Sequence, residues 1–190
     1  MMAFSQAPKR GAPQLRPNLI VGLGNDIAGD DGAGIWAARQ LAKILHDRRE
    51  VEVVPLPWAG FALLEVLAGR QRAAIVDCLC TGLHPPGTVV RLQESDFRGS
   101  VRLNSFHDIN FATVLELGGK MGWQMPEQIA IWGIEGEVMD RFQEELSPAV
   151  LRAVDQVVNE ILGFLDLEFA LKNVAINFGI AVRHINPKRH

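Results

Sequence analysis

Asn18 to Gly34 reads NLIVGLGNDIAGDDGAG, and the change of character within this stretch decides the fold. Its first seven residues, Asn18 to Gly24, are an apolar run closed by glycines. That is the pattern of a strand buried on both faces of a parallel sheet. A polar, acidic turn follows. Asp31 to His46 then has helical spacing, with Ile35, Ala38, Leu41, Ala42 and Leu45 on one face. Strand, acidic turn and helix in that order open an alternating α/β domain.

The alternation continues. Val51 to Leu56 reads as a second strand, Phe61 to Leu67 as a short helix, and Ala73 to Asp77 as a third strand, apolar until its last residue. Pro85-Pro86-Gly87 marks a turn, and Thr88 to Leu92 follows too soon for a helical crossover. It is therefore expected to be an antiparallel edge strand. After a polar loop from Glu94 to Asn104, Phe106 to Met121 reads as a helix and Gln128 to Ile134 as a buried fifth strand. Ser147 to Leu165 reads as the last helix, with Ser147 as N-cap and Pro148 at its first position. The expected fold is a three-layer α/β sandwich. A five-stranded, mostly parallel twisted sheet with one antiparallel edge strand carries helices on both faces.

One domain from residue 18 to 165 accounts for most of the 190 residues. Met1 to Pro17, with three prolines and several basic residues, reads as a flexible leader without the apolar run of a signal peptide. Residues 166–190 fit no element of the scheme and read as an extension with a basic end. With 48% hydrophobic and 22% charged residues the composition is globular, and a net charge of −3 argues against a dedicated nucleic-acid binder. No stretch approaches the roughly 18 apolar residues of a membrane span. Cys78 and Cys80, one residue apart, do not make a disulfide scaffold. A reducing cytoplasm is the expected compartment, and a monomer the expected state.

Three residues carry the chemistry: Asp31, Asp77 and His107. Each falls just past a strand or at a helix start. In an open α/β sheet such positions converge on the crevice outside the carboxyl ends of the strands. Two carboxylates and an imidazole there make a three-ligand metal site with room for a fourth partner. Acids at a helix start also need no function, since Asp30 is a natural N-cap and the helix dipole favours Asp31. Against that reading, Gly32 and Gly34 weaken the helix in the same turn, which suggests a close approach to the backbone. His107 follows Ser105 in a capping-box-like start, where the positive helix end favours the neutral, metal-binding ring. His84 is the competing histidine ligand, Glu135 a second-rank acid past the fifth strand, and Cys80 an open thiol on the same edge.

Gly22-Leu23-Gly24 invites a dinucleotide reading, but Ile27 stands where the third glycine belongs, and three aspartates would repel a pyrophosphate. A Mg²⁺-dependent phosphoacceptor receiver domain is the alternative reading, because it too places acids after strands one and three. The missing lysine after the last strand counts against it.

Gly22 to Asn25 together with Asp30 to Gly34 resembles the opening motif of the nickel–iron hydrogenase maturation endopeptidases. Val76-Asp77, Pro86 to Val89, Ser105 to Asp108 and Gln128 to Glu135 resemble later pieces of that family in order. The resemblance implies the mixed five-stranded sheet, and Asp31, Asp77 and His107 as the metal-contacting and catalytic residues. It implies a cytoplasmic peptidase that removes a C-terminal extension from a hydrogenase large-subunit precursor after nickel insertion. The nickel is then carried by the precursor, not held tightly by the free enzyme. Gly136 departs from the proline common after the last strand, and Cys78, Cys80 and residues 166–190 have no counterpart in the pattern.

Overall fold

The computed structural model describes residues 16–57, 61–92, 111–137 and 142–167. Five strands form one sheet: β1 (Asn18–Leu23), β2 (Val51–Leu56), β3 (Arg72–Leu79), β4 (Val89–Leu92) and β5 (Gln128–Glu135). Their order is β2-β1-β3-β5-β4. The pairs β1/β2, β1/β3 and β3/β5 are parallel, and β4 runs antiparallel to β5 at the edge. A receiver domain has a wholly parallel sheet, so the antiparallel β4 sets this chain apart from the phosphoacceptor reading.

Helices α1 (Ala33–Ile44) and α4 (Pro148–Phe164) cover one face of the sheet; α2 (Phe61–Leu67) and α3 (Phe111–Lys120) cover the other. On the first face Ile20, Val76 and Trp132 meet Val150, Val154 and Ile161. On the second, Val21, Ile75 and Ile131 meet Leu63, Leu67 and Phe111. With both faces covered, all six residues of β1 are buried, which is why its sequence is continuously apolar. Chain order reverses direction across the sheet between β1 and β3. The topological switch point, where such folds bind ligands, therefore lies at the carboxyl ends of those two strands.

Helix α1 departs from its sequence reading in two ways. A 3-10 turn, Gly29–Gly32, precedes it, so Asp31 lies ahead of the α-helix. Of its expected face, Ile35, Ala38, Leu41 and Leu45 are buried and Ala42 is exposed, and Ala33 and Ala37 join the buried side. Small residues let the helix sit almost on the strand. A Cβ on Gly22 would fall 2.0 Å from the Gly34 carbonyl oxygen, and one on Gly34 would fall 2.2 Å from that of Leu23 and 2.4 Å from that of Val76. The close approach suggested by the glycines is therefore helix on sheet, within the fold itself.

Helix α4 begins as its sequence implies, with the Ser147 side chain accepting from the Val150 N–H and Pro148 in the first turn. It ends at Phe164 with Leu165 as C-cap, within the expected boundary, but the two residues that follow pack back onto it. Asp166 takes a positive φ of 57°, and the Leu167 N–H donates to the Leu162 carbonyl at 2.7 Å, closing the helix. Asp166 and Leu167 thus belong to the domain and not to the extension. At the other end Arg16 and Pro17 are tied to the sheet, Arg16 by donating to the Val51 carbonyl and Pro17 by accepting from Gln71 and Arg72. The rest of the leader, residues 1–15, and residues 168–190 lie outside the described residues. Among the described residues no helix is long and apolar enough to cross a membrane.

Candidate active site

The turn after β1 sets the position of Asp31. Gly24 has φ +136°, and a Cβ there would collide with the Asp31 carbonyl oxygen. Only glycine lets the chain double back so tightly. The Asn25 N–H then donates to the Asp31 backbone oxygen at 3.3 Å and to its carboxylate at 3.1 Å. The Asn25 side chain accepts from the Ile27 N–H at 3.3 Å, an Asx turn that stiffens the same loop.

Asp77 lies within β3, two residues before its end, because the strand extends to Leu79. It is 2% exposed. One carboxylate oxygen, Oδ1, accepts from the Cys78 N–H at 2.9 Å; the other, Oδ2, is buried and has no hydrogen-bond partner among the described residues. Burial pushes the Asp77 carboxyl well above the usual carboxylate range, and the negative charge of Asp31 pushes it further. The Cys78 N–H works in the opposite direction. A buried carboxyl with an orphaned oxygen, facing a second acid, is costly to keep charged. A cation between the two acids would reverse that balance.

Asp30 has a different task from the one its place before a helix suggests. It caps no helix of its own. Its buried carboxylate accepts from the Ser147 N–H at 2.6 Å and the Glu137 N–H at 3.2 Å. Gly29 donates to the Gln143 carbonyl, and Gln143 donates to that of Ile27 at 3.1 Å. These bonds fasten the segment leading into α4 onto the Asp31 turn. Glu135 is the last residue of β5 and is fully buried. Its carboxylate accepts from the Thr81 hydroxyl and the Gly82 N–H, both at 2.7 Å. Both oxygens are engaged, so Glu135 is a tie for the loop after Asp77, not a further open acid. Adjacent acids in the sequence signal an unusual turn, but nothing local assigns Asp30 partners more than a hundred residues away.

Cys78 is buried and Cys80 is exposed at the strand end. The Cys78 thiol is directed at the Leu79 carbonyl and the Cys80 thiol at that of Glu137; interaction between the two sulfurs lowers the Cys80 pKa and, with burial, raises that of Cys78. His84 is exposed in the loop before β4. His107 lies outside the described residues. The structure thus brings Asp31 and Asp77 to one edge. Among the described residues, no group of three histidine, cysteine or acidic side chains is arranged to hold a metal.

A model of the hydrogenase maturation protease family matches residues 35–164. The chain belongs to the hydrogenase maturation protease family. The matched span includes Asp77 and His107 and begins just after the Asp31 turn. Among its relatives, the hydrogenase expression/formation protein HupD of Thiocapsa roseopersicina is 25% identical over 150 residues, 77% of this chain and 66% of that protein. The chain thus spans just under two thirds of the length of this relative. The hydrogenase 2 maturation protease of Escherichia coli is 26% identical over 153 residues, 77% of this chain and 89% of that protein. The solved hydrogenase maturating endopeptidase HybD from E. coli has the same fold, with a TM-score of 0.66 and 23% identity over 78% of this chain and 91% of its own.

Proposed function

We propose that this protein is an endopeptidase that removes the C-terminal extension of a nickel–iron hydrogenase large-subunit precursor after nickel insertion. Family membership supports the proteolytic class. The observation that carries the site assignment is Asp77: buried, one oxygen unpartnered among the described residues, its carboxyl pushed well above the usual range by burial and by Asp31. Such a group is unstable in the absence of positive charge and ready to receive it.

Nickel presented by the precursor supplies that charge. Asp31 and Asp77, together with His107, contact it, and the metal is part of the substrate rather than a resident cofactor. Positive charge beside Asp77 would favour its ionised form. The cation then polarises the scissile carbonyl or supplies hydroxide. The alternative is that one of the two carboxylates takes a proton from water as general base while the metal only positions the substrate. The compartment in this reading is the cytoplasm, where the precursor is assembled.

The test is the intact mass of a large-subunit precursor from the same organism, with and without nickel, after incubation with this protein. Loss of a C-terminal fragment from the nickel-loaded form alone is the expected result. Equal cleavage of both forms would remove nickel from the account, and no cleavage of a loaded, competent precursor would remove the activity.

A further inference from the structure

The end of β3 overhangs the sheet on one side. Its pairing with β1 stops at Val76 opposite Gly22, whereas its pairing with β5 runs on through Asp77 opposite Gly133 to Leu79 opposite Glu135. Asp77, Cys78 and Leu79 are therefore held by one neighbouring strand, where the rest of β3 is held by two. Within this overhang the Cys78 N–H donates to Asp77 Oδ1 at 2.9 Å. That bond fixes the plane of the carboxyl, and with it the aim of the unpartnered Oδ2. Where Asp77 points thus depends on how firmly the overhang is placed.

Glu135 anchors the far end of the overhang. Its fully buried carboxylate accepts from the Thr81 hydroxyl and the Gly82 N–H, both at 2.7 Å. The Thr81 hydroxyl in turn accepts from the Leu83 N–H at 3.1 Å. The main chain of Glu135 holds the other end of the same loop: its carbonyl accepts from the Gly87 N–H at 2.6 Å, and its N–H donates to the Thr88 carbonyl at 2.9 Å. One residue ties both ends of loop 80–88 to the end of β5. Gly133 adds to the fit, because a Cβ there would fall 2.2 Å from Leu79 Cδ1. Burying a carboxylate is costly, and an apolar side chain would fill the same space at less cost. What the carboxylate adds is a pair of acceptors in fixed directions for donors on successive residues, at the exit of the strand that bears Asp77.

We propose that Glu135 is a positioning residue for the cleavage reaction: through Thr81 and Gly82 it fixes the overhang of β3 and thereby the aim of the Asp77 carboxyl. This rests on the endopeptidase reading and adds to it a residue that does not touch the substrate. Misplacing a reacting group harms the chemical step more than binding, so loss of the clamp lowers kcat and leaves KM nearly unchanged.

The test compares full-length wild type, Thr81→Val, Glu135→Ala and Glu135→Gln by two readouts. The first is amide hydrogen exchange of the free protein, which needs no precursor. Thr81→Val removes one bond of the clamp at nearly constant volume, and is expected to speed exchange of the Cys78 amide, as well as that of Gly82, by about tenfold. The second is steady-state processing of nickel-loaded precursor. There kcat is expected to fall about tenfold in Thr81→Val, with KM within about twofold of wild type. Glu135→Gln keeps an acceptor for Gly82 and a polar group beside Thr81, and is expected to recover most of what Glu135→Ala loses in both readouts. Faster exchange at Gly82 with Cys78 and kcat unchanged makes Glu135 a structural tie only and overturns the proposal. A rise in KM at unchanged kcat makes the loop a binding surface and overturns it as well. Either result leaves the endopeptidase reading intact. No processing by wild type itself removes that reading and the positioning role with it.

Discussion

Buried Arg70 at one edge of the sheet and buried Asp77 at the other are treated in opposite ways. At the amino edge the charge is matched. Arg70 is 4% exposed, pairs with Glu52 at 2.8 Å, and donates to the carbonyls of Val66 and Arg16. Arg72 donates to Asn18 and pairs with Asp166 at 3.1 Å. At the carboxyl edge Asp77 has an unpartnered oxygen, and its charged neighbour Asp31 has the same sign. The contrast teaches where this fold matches a buried charge and where it leaves one carboxyl oxygen unmatched. Paired charges close the bottom of the domain, while at the top Asp30 and Glu135 are satisfied and Asp77 alone among the described residues keeps an unpartnered oxygen.

The largest effect should come from the mismatched edge. Asp31→Asn keeps the size but removes the charge, and processing of nickel-loaded precursor is expected to fall by roughly a hundredfold or more. Melting temperature should change little. Wild-type processing, read by intact mass, would remove Asp31 from the site.

Arg70→Met tests the matched edge. It leaves Glu52 and two carbonyls without their cation, and should cost about 3 kcal/mol of stability by denaturant unfolding. Processing per folded molecule should be unaltered. A loss of activity larger than the loss of folded protein would blur the division between the edges.

Asp30→Ala lies between the two. It frees the N–H groups of Ser147 and Glu137, and should cost about 2 kcal/mol. It should also loosen the segment that carries Phe142, visible as faster amide exchange at Ser147. Unchanged exchange there would mean that Asp30 does not fasten the two turns together.

Much of this was legible before any coordinates. The apolar runs of β1, β3 and β5 marked strands buried on both faces, and the short Thr88 to Leu92 interval marked the antiparallel edge. Ser147-Pro148 marked a helix start because both signals act within one turn. What remained hidden depends on partners distant in sequence. The carboxylate of Asp30 reads as a local cap until Ser147 and Glu137 are seen to reach it. Gly34 reads only as a close approach to the backbone until α1 is seen resting on the Leu23 and Val76 carbonyls. Glu135 reads as a free acid until the loop at Thr81 folds back onto it. His107 was proposed from its place at a helix start and falls outside the described residues.

The smallest expected effect gives the most direct test that the carboxyl edge is mismatched. Burial and Asp31 raise the Asp77 carboxyl in the folded protein, so the native state keeps a proton that the unfolded chain releases. Native stability must therefore fall as pH climbs above the ordinary carboxylate range, and Asp77→Asn escapes that loss. Thermal unfolding of the free protein is the measurement, wild type against Asp77→Asn, from about pH 4 upward. The account predicts an advantage for the asparagine variant that is absent at the acid end and grows to about 1 kcal/mol or more at neutral pH. A variant that is less stable than wild type by the same margin at every pH would contradict it.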